Sequence, residues 1–78
     1  MPKFFFNLRS HDRYIPDTVG DDLPDITAAR SEATEAAREL LIETIRQKDS
    51  PDHRSFEITN ENGELLATVH FRDMLHID

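Results

Sequence analysis

Apolar and polar positions alternate from Lys3 to Arg9. Phe4, Phe6 and Leu8 fall on one side of an extended chain and Phe5, Asn7 and Arg9 on the other, which predicts a strand over about 3–9 with one fully apolar side. Ser10, His11 and Asp12 supply a polar turn. A short second strand follows over about 13–16, where Pro16 lacks an N–H and marks a sheet edge or the strand's end. Residues 17–25 hold four Asp, Gly20 and Pro24 with no basic residue, and read as a loop. Asp25 or Thr27 then suits the N-cap of a helix over about 26–47. At 100° per residue, Ile26, Ala29, Ala33, Ala36, Ala37, Leu40, Leu41 and Thr44 gather on one side, and Glu32, Glu35, Glu39, Glu43 and Arg46 on the other. Ile42 breaks the pattern by pointing nearly opposite the apolar stripe, with Ile45 flanking it.

Beyond a polar connector interrupted by Pro51, two more strands are predicted over about 55–60 and 64–71. Asn62-Gly63 between them suits a two-residue type I′ hairpin, whose two central residues both need positive φ. That turn sets Ile58 opposite Ala67 and Phe56 opposite Val69, so apolar residues meet on one side of the ribbon. Glu57, Thr59, Leu66, Thr68 and His70 take the other side. Met74, Leu75 and Ile77 form a short apolar tail with no assigned place. The order is hairpin, helix, hairpin: an α+β two-layer sandwich in which one long helix covers one face of a four-stranded, mainly antiparallel sheet. At 78 residues the chain is a single domain.

Charge narrows the partners. Nine Lys plus Arg against 16 Asp plus Glu give a net charge of −7, which disfavours nucleic acid and anionic membranes. Two glycines cannot make a phosphate-cradling loop, and zero cysteines leave no thiol nucleophile, disulfide or thiolate metal site. Met1 to Phe6 is too short an apolar run for a signal peptide or membrane span, so a cytoplasmic location is expected.

Three constellations carry possible chemistry. Ser10-His11-Asp12 has the letters of a hydrolase triad, but consecutive side chains diverge, whereas triad members converge from separate parts of a fold. Asp17, Asp21, Asp22 and Asp25 offer carboxylate oxygens to a hard cation, yet lack the order of an EF-hand loop and sit where helix capping already employs them. His70, Asp73 and His76 have a spacing that closes no coordination sphere on a strand or a helix. No catalytic, cofactor-binding or metal-binding residue is therefore expected.

Phe4-Phe5-Phe6, Ile15-Pro16-Asp17, Gly20, Leu23-Pro24-Asp25, Ala28-Ala29-Arg30, Glu32-Ala33, Phe56-Glu57-Ile58, Gly63 and Val69-His70-Phe71-Arg72-Asp73 together resemble a bacterial family of small proteins known as a domain of unknown function. The chain departs from that family's pattern by carrying His11 where Gly is usual. A weaker likeness, in element order only, is to HicB-type antitoxin domains, which implies an inhibitor of a basic protein partner.

The face that a single helix cannot cover is the candidate interaction surface: Lys3, Phe5, Arg9, Leu66, Thr68, His70 and Arg72. One aromatic is few for a base-stacking platform, so a protein surface fits better than nucleic acid. The expectation is a non-enzymatic interaction or regulatory module, a homodimer through the open sheet face or a strand edge, or one bound to another protein. The alternatives are an antitoxin-like inhibitor and a small ligand-binding or metal-binding protein using residues 17–25.

Overall fold

The computed structural model describes residues 1–48 and 53–75; His76 and Ile77 lie outside the described residues. The elements are β1 (Lys3–Arg9), β2 (Tyr14–Ile15), β3 (Asp21–Asp22), α1 (Ile26–Arg46), β4 (Ser55–Thr59), β5 (Leu65–His70) and a closing 3-10 turn, Phe71–Leu75. The sheet runs β2-β1-β4-β5, and β3 also pairs with β1, so it has five strands rather than four. All pairings are antiparallel. The fifth strand is two residues inside the segment read as loop. Those residues carry neither apolar alternation nor β-branched side chains, so no periodicity marks them.

The register matches the apolar alternation. Phe6 faces Ile58 and Leu8 faces Phe56 across β1 and β4, while Ile58 faces Ala67 and Phe56 faces Val69 across β4 and β5. The turn that delivers this register is not type I′. Gly63 has φ +79 but Asn62 does not have positive φ, and Gly63 N–H donates to the Asn60 carbonyl at 3.0 Å. This is the longer loop in which glycine takes the left-handed position. The Asn60 side chain organises it, accepting from the N–H groups of Asn62 and Glu64 through Oδ1. The loop shifts the pairing by one residue, and an irregularity between Ile58 and Thr59 shifts it back, with Leu66 as the extra residue.

Helix α1 begins where Asp25 accepts from Ala28 N–H at 2.9 Å. Ala29, Ala33 and Ala37 are fully buried against Phe4, Phe56, Ile58, Val69 and Phe71, so the small stripe lets the helix lie close to the sheet. The Phe56 and Phe71 rings pack at 5.6 Å with a 43° tilt. Phe71 continues the inward alternation of β5 although the strand has ended, and its N–H donates to the Arg54 carbonyl. The 3-10 turn brings Met74 against the core, placing the first residue of the apolar tail. Ile42 and Ile45 are exposed on α1. The helix ends at the Gln47 cap, followed by Lys48 in the left-handed region at φ 61. No helix among the described residues is long and apolar enough to cross a membrane.

Backbone geometry separates three substitutions. Gly63→Ala meets only its positive φ, since nothing lies near the new methyl group, and should cost about 1 kcal/mol. Gly20→Ala should cost roughly 2 kcal/mol or more, because φ +74 is joined by contacts of 2.9 Å to Lys3 Cγ and Phe5 Cε1. Lys48→Gly should instead stabilise by about 1 kcal/mol by relieving the left-handed residue. Urea unfolding of the three variants checks this order; equal effects at Gly20 and Gly63 would mean that the close approach at Gly20 is unimportant.

Candidate functional site

The open face of the sheet is built in rows. Tyr14, Arg9, Ser55 and His70 form one row, Asn7, Glu57 and Thr68 the next, and Phe5, Thr59 and Leu65 the third. Five of the seven sequence-predicted residues, Lys3, Phe5, Arg9, Thr68 and His70, lie on strands of this face. Leu66 is the extra residue of the bulge and is 43% exposed. Arg72 does not extend the face as a strand residue, because β5 ends at His70 and Arg72 falls on the 3-10 turn.

Two features change the character of the predicted surface. The Phe5 ring lies against the Gly20 backbone, so the chain between β2 and β3 leaves it half-buried rather than fully open. Arg9 is not a lone cation: its Nε donates to Glu57 Oε2 at 2.5 Å and its Nη2 to Oε1 at 3.4 Å. The Glu57 carboxylate holds the guanidinium still more firmly protonated than usual, and the same group sits 4.5 Å over the Tyr14 ring. Glu57 and Tyr14 thus complete a charge-balanced stack. Its members were each legible, but their meeting depends on a pairing across 48 residues of sequence.

Sequence reasoning missed Asn7, which is buried on this face. Its Nδ2 donates to the Glu57 carbonyl and to Thr59 Oγ1, and its Oδ1 accepts from Asp17 N–H at 2.9 Å. An isolated polar residue within Phe5-Phe6-Asn7-Leu8 was the available signal.

The acidic segment is largely committed to structure. Asp17 Oδ2 accepts from Phe6 N–H at 3.1 Å, while Oδ1 accepts from the N–H groups of Val19 and Gly20. The carboxylate therefore stands in for a strand partner at the middle of β1, between the stretches paired with β2 and β3. Burial pushes its carboxyl up, but the three N–H groups together outweigh that and leave it below the ordinary value. Asp25 is the helix cap. Among the described residues no three His, Asp or Glu groups gather as a metal site.

A lowered folded-state value means that Asp17 stabilises the fold at pH above its unfolded value of about 4, and that this is lost as pH falls through the lower folded value. Asp17→Asn should lower stability at pH 7 by about 1–2 kcal/mol, because an amide group cannot accept at both oxygens. The gap between parent and variant in urea midpoint should narrow below about pH 4; a gap that stays constant down to pH 3 would show that charge is not what Asp17 contributes.

Against known proteins, a family model described as a domain of unknown function, DUF6894, matches residues 3–72. No curated protein and no solved structure matches significantly. The matched segment runs from the first residue of β1 into the closing 3-10 turn, and so takes in the whole sheet, the helix and the Asp17 bridge. The chain belongs to the DUF6894 family, a domain of unknown function.

Proposed function

We propose that the chain is a non-catalytic binding module whose partner is a second copy of itself, docked by antiparallel addition of β5 to β5. The observation that carries this reading is the contrast between the two edges of the sheet. The outer side of β1 is closed piecewise by β2, by the Asp17 carboxylate and by β3. The outer side of β5 has no strand beside it among the described residues. Exposed edges are ordinarily blunted by charge, proline or a bulge; the bulge of β5 falls at Leu66, near one end, and leaves Ala67 to His70 in regular register. Leu65 to His70 contains no Asp, Glu, Lys, Arg or Pro, although 32% of the chain is charged.

Self-pairing suits this edge. An antiparallel β5-β5 contact is isologous, each copy presenting the same row of N–H and C=O groups to the other. Two chains of net charge −7 repel, and a strand lacking acidic residues is where that repulsion is weakest. Leu65 and Leu66, 59% and 43% exposed at the start of the strand, add apolar surface at its end.

Sedimentation equilibrium at high micromolar concentration should give twice the chain mass of 9.0 kDa. Leu65→Lys and Leu66→Lys, which place charge on the edge, should each shift the protein toward monomer. A parent chain that is strictly monomeric overturns the reading, and a dimer broken by Phe5→Ser but indifferent to both lysine variants moves the contact to the open face.

A further inference from the structure

The imidazoles of His11 and His53 meet with ring centroids 4.7 Å apart and planes tilted by 51°. They come from opposite halves of the chain, His11 from the turn after β1 and His53 from just before β4. The antiparallel register explains the meeting. Arg9 pairs with Ser55 at the end of β1, and His11 and His53 each lie two residues beyond that last pair, outside the strands. Both lie beyond the last row of the sheet, Tyr14, Arg9, Ser55 and His70, at the same end of the molecule.

We propose that His11 and His53 form a two-imidazole chelate for a borderline divalent transition ion of the zinc class. Imidazole nitrogen is a preferred ligand for such ions, whereas hard cations favour oxygen. The distance suits the chemistry. With each ligating nitrogen about 2.0–2.1 Å from the ion and the ring centre roughly 1.1 Å beyond it, centroids 4.7 Å apart subtend about 95° at the ion. That lies between the octahedral and tetrahedral ligand angles. The tilt also differs from a parallel stack of ring faces, in which in-plane lone pairs cannot converge. Both side chains are exposed, so an ion can reach them and water can fill its remaining positions. No third His, Asp or Glu joins them among the described residues, which makes this an open site. It is independent of the β5 edge and of the acidic segment, and the ion would clip the end of β1 to the start of β4.

Isothermal titration of the full chain with zinc chloride should show one ion per chain, and zinc should raise the unfolding temperature, as any ligand selective for the folded state does. His11→Gln and His53→Gln should each weaken binding by on the order of tenfold or more, since losing a ligand costs at least as much as losing the outer partner that orients one, with ring-proton shifts confined to these two histidines in the parent. His70→Gln should bind as the parent does, and magnesium should not bind at this site. Circular dichroism of the variants confirms that the exposed substitutions leave the fold intact. Absence of binding, equal affinity in the parent and both glutamine variants, or zinc uptake that doubles the mass by bridging two chains would each overturn the assignment.

Discussion

Pairing of β1 with β4 is the constraint on which the rest of the molecule depends. The two strands lie about fifty residues apart in sequence, with the whole helix between them, so joining them closes a large loop before any local reward is gained. Once closed, five consecutive residue pairs from Phe5/Thr59 to Arg9/Ser55 settle which side chains share a face. Phe6 and Leu8 then join Ile58 and Phe56 toward the helix. On the reverse, Asn7 reaches the Glu57 carbonyl, Arg9 reaches the Glu57 carboxylate, and His11 reaches His53. A slip of one residue would exchange the two sets and bury charge.

The sheet is finished differently at its two margins. Beside β1, a strand of two residues, a carboxylate and another strand of two residues satisfy successive stretches of backbone. Such a patchwork is physically reasonable, since Pro16 cannot donate to a ladder and a buried N–H needs some acceptor. Beside β5 nothing comparable is present among the described residues, while the helix shields the inner surface of that strand. The alanine stripe reinforces the division. Small residues bring α1 close to β4 and β5 but give it little breadth, so one helix covers one face of the sheet and does not reach the reverse face.

Element types and the inward-facing residues were legible because they rest on local periodicity. Phe4, Phe6, Phe56, Ile58 and Val69 alternate at period two, Ala29, Ala33 and Ala37 recur at helical spacing, and Asp25 stands where a cap must stand. The β4-β5 register was also legible, although Asn62-Gly63 does not form the type I′ turn: apolar complementarity between Ile58 and Ala67 favours the pairing, and a bulge at Leu66 absorbs the longer loop around Gly63. β3 was not legible, because Asp21 and Asp22 pair through backbone alone and carry no alternation.

The candidate surface was legible only as a list. Alternation placed Lys3, Phe5, Arg9, Thr68 and His70 on one face, which is a local property of each strand. Whether Arg9 remained an open cation, whether Phe5 stood clear, and whether Asp17 was free to hold an ion depended on Glu57, Gly20 and the Phe6 N–H, groups supplied by other parts of the chain. Local spacing governs which way a side chain points, because backbone geometry repeats every few residues. What it meets there is set by long-range register, and no local pattern encodes that His11 and His53 should face each other across the end of a sheet.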